Sequence, residues 1–240
     1  MRKHYSRIFN IIGLLVVGVT FFVGACVTHA ADQSGQPSFL ITWRAVSTVP
    51  VWYQGKALPT YQTPIIFSLT IVQNGKIVPL GNQIVKWFVN NTLVGYQPGL
   101  GAVTFINKNI FSGGELDVKV SVQVIDPVTG ASSLQSQYFT IPVVYPKVVL
   151  QAPPFSTSFS GGQSLDLVAV PFFFNAQPSS LSFSWSANGA TVKNVGDPWH
   201  LLVQLSNQAV ASAQTIGVTV SNPFDSMMEN GSAVYSFSVR

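Results

Sequence analysis

The sequence predicts an all-β chain built as two tandem antiparallel β-sandwiches, and three observations carry that prediction. Hydrophobic residues make up 47% of the chain and charged residues only 8%, against about 25% charged in an average soluble domain. Val, Ile, Phe, Thr and Tyr abound, Lys and Glu are scarce, and 19 Gly with 15 Pro punctuate the sequence. That mixture suits short strands joined by turns rather than a helical bundle. The second observation is a period of two within the strand-like segments. The third is a recurrence of the whole pattern 98 residues further on.

The N-terminus stands apart. Met1–Arg7 is basic, an apolar run extends from Ile8 to about Ala25, and small and polar residues follow. This is the layout of a secretory targeting segment over residues 1–30. Thr28-His29-Ala30 offers a signal-peptidase site that would start the mature chain at Ala31, whereas Val23-Gly24-Ala25-Cys26 resembles a bacterial lipobox that would lipidate Cys26. An uncleaved anchor is the third option, because about 18 apolar residues can just span a bilayer. All three place the remainder outside the cytoplasm, in contact with the membrane only through the N-terminal segment. Arg2, Lys3 and Arg7 also account for most of the basicity. Without them nine Lys/Arg face eight Asp/Glu, and no dense basic patch of the kind a nucleic-acid partner requires is visible.

Residues 31–37 read as a polar linker carrying Gly35 and Pro37. From Ser38 the pattern becomes strand-like and runs twice, over 38–145 and 146–240. Lys86-Trp87-Phe88-Val89-Asn90-Asn91 aligns with Ser184-Trp185-Ser186-Ala187-Asn188-Gly189 at an offset of 98. Val118, Val120 and Val122 meet Ile216, Val218 and Val220 at that offset, and Phe139 and Ile141 meet Phe237 and Val239. The agreement reads as a duplicated domain with its junction near Tyr145-Pro146. In the first copy strands are predicted over 38–46, 64–73, 76–80, 83–90, 93–96, 102–107, 115–125 and 135–144. In the second they are predicted over 147–152, 163–174, 180–187, 190–194, 200–206, 214–221 and 233–240. Phe183, Trp185 and Ala187 alternate with Ser182, Ser184 and Ser186 before Asn188-Gly189 supplies a hairpin turn. One apolar and one wet face per strand is the signature of sheets packed over a single core.

The apolar-x-Trp-x-x-Asn-Gly/Asn strand and hairpin, the later Val strand and the closing strand resemble bacterial immunoglobulin-like and PKD-type surface domains, over residues 38–240. The resemblance implies immunoglobulin-like sandwiches on an exported protein, and architecture of this kind hosts many functions. The chain departs from antibody-type domains in lacking the cysteine pair. Cys26 is its one cysteine, so no intrachain disulfide can form, and Trp87 and Trp185 are expected to pack on aliphatic side chains.

Convergent catalytic groups are not apparent. His4 and His29 lie in the targeting segment and leave His200 as the one histidine of the folded region, without a partner at metal-ligand spacing. No zinc motif, phosphate-binding glycine loop or Gly-x-Ser-x-Gly elbow occurs. Glu115 and Asp117 share a strand face, while Asp126, Asp197 and Asp225 fall in turns, where Asp bonds to nearby backbone N–H groups. The junction at 143–154 holds no carboxylate to bind calcium. Neither a catalytic residue nor a cofactor is therefore expected.

The aromatic residues suggest more. Pro50–Pro59 is a long loop carrying Trp52 and Tyr53, with no counterpart of equal length in the second copy. It reads either as a binding surface or as a flap folded over the open end of the first sandwich, burying Trp52. Pro171-Phe172-Phe173-Phe174 breaks the alternation and reads either as a strand buried on both faces, for which the domain contact is one place, or as an exposed apolar patch, with burial the favoured reading. The expectation is a non-enzymatic exported surface protein with a structural, spacer or adhesive role. The partner would be a cell-envelope protein or a glycan. The alternative is a carbohydrate- or protein-binding module that uses Trp52, Tyr53 or Trp199.

Overall fold

The computed structural model describes residues 37–81, 83–108, 113–125, 130–153, 157–193, 196–207, 212–225, 227 and 229–240. Residues 1–36, which include the expected targeting segment, Cys26 and the expected cleavage site before Ala31, and the expected turn at Asp126-Pro127 lie outside the described residues.

Eight strands form the first sandwich: β1 (Ser38–Ala45), β2 (Pro64–Gln73), β3 (Lys76–Val78), β4 (Ile84–Val89), β5 (Thr92–Pro98), β6 (Ala102–Ile106), β7 (Glu115–Ile125) and β8 (Ser132–Pro142). One sheet runs β1-β2-β3 with β6 also on β2, and the other runs β5-β4-β7-β8. Eight more build the second: β9 (Lys147–Gln151), β10 (Ser158–Phe159), β11 (Ser164–Phe172), β12 (Ser182–Ala187), β13 (Ala190–Val192), β14 (His200–Gln204), β15 (Ser212–Ser221) and β16 (Asn230–Val239). Its sheets run β14-β11-β9 and β10-β16-β15-β12-β13. These are two tandem immunoglobulin-like sandwiches.

Alternation places one side chain in two inside. Ile65, Phe67, Leu69 and Ile71 of β2 face Val85, Trp87 and Val89 of β4 and Leu116, Val118, Val120 and Val122 of β7 across the first core. Leu165, Leu167 and Ala169 face Trp185, Ile216, Val218 and Val220 across the second. Both tryptophans are buried within cores rich in aliphatic side chains, at 0% and 1% exposure, and Trp87 also stacks on Phe67.

The offset of 98 has a physical counterpart. Trp87 donates its indole N–H to Leu100 O (3.1 Å) and Trp185 donates to Pro198 O (2.8 Å), thirteen residues on in each case. Asn90 Oδ1 accepts from Asp117 N at 2.9 Å, and Asn188 Oδ1 accepts from Thr215 N at 2.9 Å. Both asparagines hold positive φ, 48° and 50°, as the two-residue turns closing β4–β5 and β12–β13 demand. Asn188→Ala is expected to cost about 1–2 kcal/mol, since alanine loses the bond and resists that φ. Urea unfolding would measure it, and a loss under about 0.3 kcal/mol would contradict the argument.

The closing strands correct the third block of the sequence alignment. Val118 pairs with Phe139, but Ile216 pairs with Tyr235. Tyr235 and Phe237, rather than Phe237 and Val239, are therefore the equivalents of Phe139 and Ile141, an offset of 96. A shift of two residues is one full pleat, so the apolar face stays inside. The sequence pattern could not distinguish the two registers.

Three local features also depart from expectation. β10 is a two-residue strand parallel to β16, too short to carry a pattern. The segment before β12 begins with a 3-10 turn at Pro178–Ser180. β11 stops at Phe172, two residues short of the expected end, because Phe173 takes φ +64°.

Candidate functional site

A concave region opens where the first and second sandwiches meet. Three segments build it: residues 46–63 between β1 and β2, residues 173–180 after β11, and the β15–β16 hairpin. The long loop packs on the first sandwich through Lys56 over Trp43, and it also crosses to the second.

Thr48 makes the crossing. Its N–H donates to Phe174 O (2.7 Å), Phe173 N donates to Thr48 O (2.6 Å), and Thr48 Oγ1 donates to Ala176 O. Left-handed backbone at a bulky residue is disfavoured. At Phe173 it is held by the Thr48 bond and by an edge contact of its ring with Tyr53 at 6.0 Å. Phe174 then turns inward and is fully buried in the second core. The Phe triplet thus lies at the domain contact as expected, but only Phe172 belongs to a strand.

The loop aromatics occupy the same contact. Tyr53 is half-buried and meets Phe172 edge-on at 5.5 Å. Its ring lies so close over Gly55 that a Cβ there would fall 2.4 Å from the phenol, so a larger residue at 55 would displace the ring. Trp52 meets Phe172 at 5.9 Å and stays 56% exposed, so the loop does not bury it. Lys56 caps the first core with its ammonium 3.5 Å from the Trp43 ring centroid, and partial burial draws its pKa below the usual lysine value. Trp199 is half-buried against Phe183 at 5.9 Å.

At the bottom of the junction lies a group the sequence reading passed over. Glu229 is 1% exposed. Its Oε1 accepts from Asn175 N and from Thr60 Oγ1 (3.3 Å), and its Oε2 accepts from Asn222 Nδ2 (2.6 Å). Thr60, wholly buried, belongs to the first sandwich's loop, and it is fixed by Thr63 Oγ1, 2.8 Å from its own hydroxyl. Asn175 Nδ2 donates back across the junction to Gln62 O at 3.2 Å. The expectation of no carboxylate at the junction holds for 143–154 but fails for the folded junction, which the hairpin supplies with one. A signal existed. Gly231, Ala233, Tyr235, Phe237 and Val239 are the less exposed residues of β16, and extending that parity back two positions reaches Glu229.

Glu229 also braces the hairpin. Asn222 N donates to Glu229 O (2.9 Å), Glu229 N to Asp225 O (2.8 Å), and Phe224 N to Asn222 Oδ1 (3.1 Å). Above this floor opens a cleft of about 680 Å³, lined among others by Tyr61, Gln62, Gln177, Phe224 and Asp225.

His200 lies elsewhere, on the β11–β14 ladder, with Nδ1 3.5 Å from Asp166 Oδ1 and both side chains well exposed. Among the described residues no group of three or more His, Cys, Asp or Glu could hold a metal ion.

No protein-family model matches the sequence, and no curated protein does. Among solved structures, the chain is similar to the fibronectin(III)-like modules of Clostridium thermocellum CbhA at 14% identity and a TM-score of 0.29, over 83% of this chain and 93% of that one. It is also similar to three N-terminal domains of the highly immunogenic outer capsid protein of bacteriophage RB49, at 14% identity and 0.43, over 85% and 59% of the two chains. For murine CEACAM1b the values are 12% and 0.29, over 84% and 100%.

Proposed function

We propose that this protein is an exported, non-enzymatic surface module with a structural and adhesive role. In this reading residues 1–30 form a targeting segment and 31–37 a linker, followed by sandwiches over 38–145 and 146–240. The observation that carries the reading is the junction. Two main-chain hydrogen bonds at Thr48, the Tyr53 and Phe172–Phe173 ring contacts and the Glu229 network tie one sandwich to the next. A tie of this kind removes the free hinge expected between domains joined by a simple linker, and a stiff rod is what a spacer or an adhesive stalk requires.

The test has two parts. Mass spectrometry of the mature N-terminus is expected to show Ala31, a lipidated Cys26 or an intact Met1, on protein recovered from the envelope or the medium. Recovery of the full chain as a soluble cytoplasmic protein would sink the reading. Distance measurements between spin labels placed in β3 and β13 are expected to give one narrow distribution, and a broad one would remove the rod.

Ligand binding by exposed aromatics is the second reading. The partial exposure of Trp52 supports it, although Tyr53 and Trp199 already spend ring surface on Phe172, Phe173 and Phe183.

A further inference from the structure

We infer that the junction cleft is a saccharide site, taking an uncharged oligosaccharide with the Phe224 ring as its stacking platform. The inference deepens the adhesive half of the reading above and rests on it.

The cleft's volume of about 680 Å³ falls within the roughly 300–1,000 Å³ of small-molecule sites. Its walls combine two chemistries. Phe224 and Met227 are each 89% exposed at the rim, and Tyr61 stands on the wall contributed by the first sandwich. Sugar rings present a face of C–H groups that packs against an aromatic ring, while their edges present hydroxyls. For those edges the lining offers the amides of Gln62 and Gln177, the Ser180 hydroxyl and the Asp225 carboxylate. Amide and carboxylate groups suit vicinal hydroxyls, which both donate and accept.

Charge decides between classes of sugar. The described lining contains Asp225 and Glu229 and no Lys, Arg or His. A sulfated or uronic-acid chain would meet a carboxylate with no cation to offset it, whereas a neutral chain incurs no such repulsion.

Preorganisation supports the same conclusion. A lone exposed phenyl ring needs no explanation, but Phe224 sits on a turn held at three points by Asn222 and Glu229. The floor beneath it is a buried network joining both sandwiches. A platform already fixed loses little freedom on binding. The buried carboxylate thus acts as a positioning residue: it holds the walls and, at 1% exposure, does not reach the ligand.

The full chain would be titrated calorimetrically with cellotetraose, mannotetraose and N-acetylchitotetraose, with tetragalacturonate as the anionic arm and a lysine-rich decapeptide as the basic arm. At least one neutral tetrasaccharide is expected to bind, and Phe224→Ala to weaken it tenfold or more with melting unchanged, because that ring is almost fully exposed. Asp225→Asn is expected to raise tetragalacturonate binding, because it removes a carboxylate of the lining that repels an anionic chain. Absence of neutral saccharide binding, indifference to Phe224→Ala, or preference for tetragalacturonate or the peptide would each overturn the site. Envelope association is scored in parallel. If it persists without saccharide binding, the cleft is wrong and the adhesive reading stands; if it is absent altogether, that reading falls as well.

Discussion

Truncating Trp185 to alanine is expected to destabilise the second sandwich by about 3–5 kcal/mol, and Trp87→Ala to do the same to the first. Each indole is the largest fully buried side chain of its core. Its removal opens a cavity that the flanking strands cannot fill, since β4 and β12 are each pinned by ladders on both sides. The indole N–H also satisfies a carbonyl, Leu100 O or Pro198 O, that the truncation strands. In the first core Phe67 stacks on Trp87 at 5.6 Å and loses its partner, so Trp87→Ala is expected to be the costlier of the two. Guanidinium unfolding of both variants would measure the losses. A cost below about 1.5 kcal/mol at either site would contradict the central role assigned to these rings.

Glu229→Ala is expected to cost about 2–4 kcal/mol, although it deletes no apolar core. Three donors, Asn175 N, Thr60 Oγ1 and Asn222 Nδ2, lose their acceptor, the last two in buried bonds, and a buried donor without a partner carries its full desolvation penalty. Because Thr60 comes from one sandwich and the other two donors from the second, the damage should concentrate at the junction. Hydrogen exchange at the Asn175 amide is expected to accelerate by an order of magnitude or more while the amides of β4 and β12 stay protected. Glu229→Gln should recover part of the loss. It keeps one acceptor for Asn175 and Thr60, but sets an NH2 against the Asn222 amide, whose oxygen already serves Phe224 N. Equal stability of wild type and Glu229→Ala would mean that the network ties nothing together.

Much of this architecture was legible before any coordinates. The strands lie close to where alternation put them, because the period of two follows from the pleat itself and needs no partner to be read. Both core tryptophans and the Asn turns after them are marked by residue type, since a bulky ring on the apolar parity of a strand and a residue tolerant of positive φ each have one comfortable place in a hairpin. What local pattern cannot specify is register between distant strands. Phe139 was matched with Phe237 when its structural equivalent is Tyr235, because both registers leave the same face apolar.

The junction was the least legible part, for a related reason. Thr48, Thr60, Asn175, Asn222 and Glu229 lie in three separate segments of the chain, in loops or at strand ends, and no periodicity connects them. The Pro50–Pro59 loop stands out in the sequence by its length and aromatics, yet its destination depended on Phe173 leaving the strand with a positive φ that no propensity would assign to it.

The sequence by itself determined two sandwiches, their cores and their turns, because burial alternation and turn chemistry act over a few neighbouring residues. Only the tertiary structure decided that these sandwiches share a polar floor, since a carboxylate becomes a buried acceptor only when donors far away in the chain are folded against it.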